Sequence, residues 1–375
     1  MRYRKLGNTG INISALGFGC MRFPMIKRDS GNIVDQDKTS QMLQRAYELG
    51  VNYFDTAYFY CGGQSEIEVG KALKAFRDKV YVSTKVPREH VNKAGDARRT
   101  LEEQLKKLDM DYIDIYHFHG IGYDNFIEAD NRGQWLKDVQ TAKEEGLIKH
   151  IAFSFHDKPE NMIKLVDMGC FESVLCQYNI IDRTNEEAIA YVKSKGLGVI
   201  VMGPLGGGRV SGMPKHMAEE LGINVRSSAE LALRFVFANP NIDCALSGMG
   251  NLQMIEENAA VASNSQPLSN AEVESINQMM QENKKLAELY CTGCSYCMPC
   301  PSGINIPHVF QLMNYHKIYG ITDYAKKEYG NIGEHGDEGK KSDACIECGV
   351  CETKCPQKIK IREQLKESHK ALSAK

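Results

Sequence analysis

Val80-Tyr81-Val82-Ser83-Thr84-Lys85 leads, through the amphipathic stretch 96–108, to Tyr112-Ile113-Asp114-Ile115-Tyr116-His117-Phe118-His119. The two outer runs are rich in β-branched and aromatic residues and read as strands, and the stretch between them has helical periodicity. Strand, helix and strand in that order predict a βαβ unit, whose strands lie parallel. The same alternation extends in both directions. Further strands are expected at 15–19, 53–56, 150–154, 173–177, 198–202 and 242–246. Helices are expected at 38–49, 65–76, 133–145, 159–168, 186–194, 227–238 and 252–260. Eight such units within residues 1–262 fit an α/β fold of the closed (β/α)8 TIM-barrel type. A doubly wound open sheet is the alternative. It would carry Gly-x-Gly-x-x-Gly after its first strand, and Gly17-Phe18-Gly19-Cys20-Met21-Arg22 lacks the third glycine.

Beyond the barrel the composition changes. Residues 263–270 form a polar loop, and Ser269 is placed to cap a polar helix over 271–289. Residues 263–290 are therefore expected to be a linker and helix, and residues 291–375 a second, smaller domain. Eight of the thirteen cysteines lie there. They form two runs, Cys291-x2-Cys294-x2-Cys297-x2-Cys300-Pro301 and Cys345-x2-Cys348-x2-Cys351-x3-Cys355-Pro356. Three closely spaced thiolates wrap one cluster, and a fourth cysteine before proline ligates the other. This predicts two 4Fe–4S clusters, one on Cys291, Cys294, Cys297 and Cys355, the other on Cys345, Cys348, Cys351 and Cys300. Structural zinc would more often use two separated pairs, and disulfides would need an oxidising compartment. The 44 residues between the runs hold a helix candidate at 307–319, and another follows at 361–372. The domain is thus expected to be mainly α-helical and similar to the α-helical dicluster ferredoxins, with a flexible loop at 330–341.

Net charge is −2, which implies no general attraction to nucleic acid or to an anionic membrane. No apolar run approaches the roughly 18 residues that span a bilayer. The opening residues Met1-Arg2-Tyr3-Arg4-Lys5 lead into no apolar segment, so a cytoplasmic location is expected.

In a TIM barrel the functional groups gather where strands end. The polar residues at those positions are Asp55, Tyr58 and Tyr60, then Lys85, His117 and His119, then Ser154, His156, Gln177 and Asn179, and last the loop 203–209. A lysine ending an apolar strand is costly to bury unless paired, and Asp55 can supply the charge.

Residues 1–262 resemble the aldo-keto reductase family. The motifs that carry the resemblance are Arg4-Lys5-Leu6-Gly7-Asn8-Thr9-Gly10, Asp55-Thr56-Ala57-Tyr58-Phe59-Tyr60, Ser83-Thr84-Lys85, and Asp111-Tyr112-Ile113-Asp114-Ile115-Tyr116-His117-Phe118-His119. The resemblance implies a catalytic tetrad of Asp55, Tyr60, Lys85 and His119, with His119 favoured over His117 by register. It implies a nicotinamide cofactor, NAD(H) or NADP(H), near Ser154, Gln177 and Asn179. The loop with Pro204, Leu205, Gly206, Gly208 and Arg209 would cover the pyrophosphate, and Glu257 and Asn258 would face the adenine. Ser154-Phe155 replaces the family's Ser-Asn pair, Met202 stands where an aromatic residue stacks on nicotinamide, and Gly248 and Met254 stand where cations grip a 2′-phosphate. The last change favours NADH.

The expected function is interconversion of a small carbonyl and its alcohol by an iron–sulfur oxidoreductase, with clusters exchanging electrons with a redox partner such as a ferredoxin or flavoprotein. Hydride carries two electrons and a cluster one, so a flavin could mediate. The alternatives are an electron-transfer module without carbonyl chemistry, and a reductase whose clusters are structural. Substrate specificity is expected in loops 120–134 and 210–225.

Overall fold

The computed structural model describes residues 1–28, 31–205, 218–288, 291, 297–317, 319–334, 339–355 and 358–373. The chain forms two compact units. The first is Met1–Gly206 with Ala232–Leu268, and the second is Gly207–Leu231 with Ser269–Lys375. The helix Leu252–Asn264 runs past residue 262, and the units part between Leu268 and Ser269. Ser269 and Glu272 then form a reciprocal capping box for the helix Asn270–Glu288, since each accepts the other's backbone N–H.

The first unit is a closed barrel of eight parallel strands. They are β1 (Leu16–Gly19), β2 (Tyr53–Asp55), β3 (Tyr81–Pro87), β4 (Ile113–Ile121), β5 (Ile148–Phe155), β6 (Ser173–Gln177), β7 (Gly198–Met202) and β8 (Cys244–Ser247). Each pairs with the next in sequence, and β8 returns to β1. Alternation sorts the side chains. On β3, Thr84 turns outward to Glu66 and Gln104, and Ser83 and Lys85 turn inward to Asp55. On β4, Tyr116 and Phe118 pack outward against Gln104 and Trp135, leaving Ile115, His117 and His119 on the inner face.

Tyr53, Ile115, Ala152, Leu175, Ile200 and Cys244 fill the lower interior. Leu6, Ile11 and Ile13 join this cluster from the hairpin pairing Tyr3–Lys5 with Asn12–Ser14. The apolar floor leaves the polar inward positions near the strands' C-terminal ends. The barrel thereby meets both requirements of its sequence, a dry base and a polar mouth.

Two features differ from expectation. A hairpin, Met25–Arg28 with Gly31–Val34, follows β1. Segment 120–134, expected as a loop, contains the helix Tyr123–Gly133. Its Asn, Asp and Gly residues read as breakers, but Phe126, Ala129 and Gly133 recur at helical spacing and are buried.

The second unit has its own core. Val309, Phe310, Leu312 and Met313 of the helix Ile306–Lys317 pack with Ala325 and Tyr329 of Thr322–Asn331 and with Ile361, Leu365 and Leu372 of Ile361–Ser373. Cys297 and Cys351 are buried in it, and Cys291, Cys300, Cys345 and Cys355 pack against it. The segment 330–341, expected as a flexible loop, is partly built. The helix reaches Asn331, and Lys340 bridges to Ile304. Among the described residues no helix is long and apolar enough to cross a membrane.

Candidate functional site

The mouth of the barrel is organised around one buried ion pair. Lys85 Nζ donates to Asp55 Oδ1 at 2.5 Å and to the Thr56 carbonyl at 2.7 Å. Both side chains are 1% exposed, so each charge depends on the other for solvation. The remaining oxygen, Asp55 Oδ2, accepts from Ser83 Oγ at 2.7 Å. Tyr53 lies 2.8 Å from Ser83 Oγ and closes the network from below. Burial opposes the Lys85 ammonium, yet Asp55 and Tyr60 together outweigh it and hold its pKa above the ordinary lysine value.

Tyr60 follows β2 and lies against this pair. Lys85 Nζ is 4.7 Å from its ring centroid, and the His119 ring stands edge-on to it at 6.1 Å. Burial pushes the Tyr60 phenol above its ordinary value, with Lys85 pulling it back only in part. Desolvation of the phenolate thus outweighs the pull of the Lys85 ammonium. Burial, with Lys85 second, lowers His119 to a pKa of about 3. At neutral pH its imidazole is uncharged and can donate a hydrogen bond.

The competing residues are placed elsewhere. The Tyr58 hydroxyl donates to Glu103 at 3.0 Å, and Lys107 lies 3.5 Å from its ring centroid. Tyr58 therefore belongs to the outer shell of the barrel. His117 opposes Lys85 in register but is wholly buried, and it too is lowered to about 3, chiefly by burial. His156 follows β5 at the mouth, and partial desolvation followed by Lys85 lowers its pKa. Asp55, Tyr60, Lys85 and His119 come together, whereas Tyr58 faces the outer shell and His117 lies wholly buried on the inner face beside Lys85.

The expected cofactor positions divide into free and committed groups. Ser154 Oγ accepts the Gly120 N–H at 2.7 Å. Asn179 Nδ2 donates to the Gly203 carbonyl at 3.0 Å, and its Oδ1 accepts from Ile181 and Asp182, so this amide braces its own loop. The Gln177 side chain lies directly over Gly203. A β-carbon on that glycine would come 2.5 Å from Gln177 Nε2, and its φ is +61°, so only glycine fits. Among the described residues the Gln177 amide makes no hydrogen bond and remains available to a planar polar ligand. Pro204 is buried and Leu205 half-buried, whereas Gly206, Gly208 and Arg209 lie outside the described residues. Asn258 is buried and donates to Ser247 Oγ at 3.3 Å, and Glu257 is exposed, bonded to Gln253.

Two residues escaped the sequence analysis. Ser83 is the second partner of Asp55, and its position two residues before Lys85 on one strand face is the signal that could have found it. Arg22, after β1, lays its Cδ 3.3 Å from the β-position of Gly248, where the family pattern has a cation. No local pattern links residues so far apart in sequence.

In the second unit, Cys294 lies outside the described residues. Among the described residues the other seven cysteines of the two runs form no disulfide. Cys345 Sγ accepts the Glu347 N–H at 3.4 Å. Cys351 of the second run is buried in this unit's core, and Cys300 of the first run packs against it. A soft thiolate set fits iron–sulfur chemistry.

Comparison with known proteins matches two families in succession along the chain. A model described as "Aldo/keto reductase family" matches residues 15–281, and one described as "4Fe-4S dicluster domain" matches residues 290–359. L-galactose dehydrogenase of Arabidopsis thaliana is 31% identical over 282 residues, 68% of this chain and 86% of that protein. The aldo-keto reductase YhdN of Bacillus subtilis is 29% identical, covering 59% of this chain and 66% of the relative. A Bacillus halodurans aldo-keto reductase, solved in a holo form, superposes with a TM-score of 0.63 at 26% identity, covering 74% of this chain and 96% of the other.

Proposed function

This chain belongs to the aldo/keto reductase family, joined to a 4Fe–4S dicluster domain, and on that premise we propose that it interconverts a small carbonyl compound and its alcohol at the barrel mouth. The observation that carries this reading is the Tyr60 phenol set between the buried Lys85 ammonium and the uncharged His119 ring. A carbonyl that receives hydride becomes an alkoxide and needs both a proton and interim stabilisation. His119 donates to the carbonyl oxygen and polarises it. Tyr60 gives up its phenolic proton, and Lys85, held charged by Asp55, stabilises the phenolate left behind. In the oxidative direction the same groups remove the alcohol proton. A nicotinamide, when bound, supplies or accepts the hydride. Gln177 and Ser154 would hold its carboxamide end, and Asn258 and Glu257 its adenine end.

The eight C-terminal cysteines would hold two clusters, with Cys300 and Cys355 exchanged between the runs. Such clusters supply one-electron chemistry when bound. Their role would be exchange of electrons with a partner protein, and the cofactor content of anaerobically purified chain tests this, including whether a flavin accompanies them. Uncharged Gly248 and Met254 favour NADH as at least the equal of NADPH. Titration showing a strong NADPH preference would overturn that and point to Arg22 as the missing cation.

Tyr60→Phe tests the carbonyl reaction. It keeps the ring and deletes the acid. General acid catalysis is typically worth about 10²–10⁴-fold, so turnover of an aldehyde, ketose or sugar-alcohol substrate should fall by about that factor. Tyr58→Phe should leave the rate unchanged, because that hydroxyl is spent on Glu103. Equal activity of Tyr60→Phe and the parent would remove the tetrad argument and favour an electron-transfer module.

A further inference from the structure

We propose that the loop between Cys345 and Cys351 is a docking face for a small acidic electron-carrier protein. The proposal rests on the reading that the C-terminal cysteines hold redox-active clusters. Most of those cysteines are buried or half-buried, but Cys348 is exposed. It lies between Ile346 and Val350, which are 69% and 38% exposed. Ile346 is the most exposed large apolar side chain among the described residues. A single exposed isoleucine needs no explanation, but Ile346 and Val350 flanking the exposed Cys348 make an apolar spot where a cluster ligand meets solvent. Such a spot is too small for a stable complex and suits the brief, small-area encounters of electron transfer.

The charges around it select the partner. Arg362 and Lys366 of the helix Ile361–Ser373 touch the loop. The Arg362 guanidinium carbon lies 3.8 Å from the β-position of Gly349, and Lys366 Nζ lies 2.8 Å from Glu347. Lys370 continues the same helix face at i+4. Residues 345–373 carry six Lys and Arg against four Glu, a balance of +2, whereas the whole chain carries −2. The local pairs Lys366–Glu347 and Lys360–Glu363 join solvent-exposed groups and are weak, so their cations can turn to a partner's carboxylates, whereas Arg362 stays with the half-buried Glu352. Lys354, Lys358 and Lys370 have no anionic partner among the described residues. A basic rim around an apolar centre steers an acidic carrier into contact with Cys348. One electron passes from the carrier's reduced centre into the cluster, with no bond made and no proton moved at the face.

The test uses the full, cluster-loaded chain, an acidic ferredoxin as probe, and the variants Ile346→Glu and Lys366→Glu/Lys370→Glu. All the substituted side chains are exposed, so iron content and circular dichroism should match the parent. Affinity is read by calorimetry at low salt, and cluster reduction by stopped-flow bleaching of the cluster absorbance. Each variant should weaken binding and slow reduction by about tenfold or more, and added salt should do the same to the parent. A reduced viologen, which needs no docking face, should reduce parent and variants at one rate. Clusters that viologen cannot reduce would overturn the redox reading itself. Clusters that viologen reduces, with a ferredoxin that fails to bind or reacts equally with all variants, would overturn the docking face alone. A basic carrier protein binding as tightly as the acidic one would also overturn it.

Discussion

The two units hold their chemistry in different ways. In the barrel, the candidate acid and its supports sit on or beside strands whose own packing fixes them. Asp55 and Lys85 are joined on neighbouring strands, and an apolar floor closes the interior beneath them. In the second unit, the candidate ligands sit on loops and a five-residue helix, and two of them are part of the hydrophobic core. The difference teaches where each site gets its order. The barrel residues are held by their own ion pair and hydrogen bonds, whereas the cysteines are held by the core they pack on and, in the proposed reading, by the clusters they would ligate.

Removing iron should separate the units most strongly. Metal binding at sites built from thiolates can contribute on the order of 10 kcal/mol to folding. Chelation of the reduced, anaerobic chain should therefore abolish amide protection in the helices Ile306–Lys317, Thr322–Asn331 and Ile361–Ser373. Strands β3 and β4 should stay protected in the same hydrogen-exchange experiment. Equal loss in both would break the comparison, as would no loss in either.

The next effect lies inside the barrel. Lys85→Met leaves Asp55 buried and unpaired, at a cost of about 3–5 kcal/mol. Denaturant unfolding should show that loss, while the cluster absorbance stays unchanged. Asp55→Asn with Lys85→Met should recover part of it, because the stranded charge is gone. Failure of the double variant to recover would mean that the pair matters for packing and not for charge.

Ser83→Ala is smaller and sharper. It deletes the hydrogen bond to a charged carboxylate, worth about 1.5–3 kcal/mol, and leaves Lys85 in place. If Ser83 orients Asp55, Tyr60-dependent turnover should fall along with stability. A stability loss with unchanged turnover would assign Ser83 to structure alone.

The smallest effect follows from protons. His117 and His119 are held near pKa 3 by burial, against an unperturbed value near 6.5. Between those values the unfolded chain binds protons that the folded barrel refuses. Stability is therefore complete above about pH 6.5 and is lost as pH falls toward 3. At pH 5.5 the loss is about 1.4 kcal/mol per histidine. His117→Leu should remove one histidine's share of the barrel's acid sensitivity, read as a shallower dependence of the urea midpoint on pH. An unchanged dependence would show that His117 is not held neutral.

Much of this was legible in the chain. Alternation in runs such as 80–85 and 112–119 located all eight barrel strands, because strand periodicity is a property of neighbouring residues. The capping box at Ser269 and the helix Ile361–Ser373 were legible for the same reason. The helix Tyr123–Gly133 was not, since its breaker residues are overridden by burial of Phe126 and Ala129.

Sequence by itself determined which chemical groups are present and on which strand faces they stand. It named Asp55, Tyr60, Lys85 and His119, and it set the cysteine spacing, because spacing along a chain fixes how thiolates can wrap a cluster. Only the tertiary structure separated Tyr60 from Tyr58, spent Asn179 on its own loop while leaving Gln177 free, brought Ser83 to Asp55 and laid Arg22 against Gly248. It also set the direction of the Tyr60 phenol, where burial outweighs the neighbouring ammonium. The physical reason is common to all of these. Desolvation and hydrogen-bond competition depend on which atoms converge when the barrel closes, and closure joins residues that no local pattern connects.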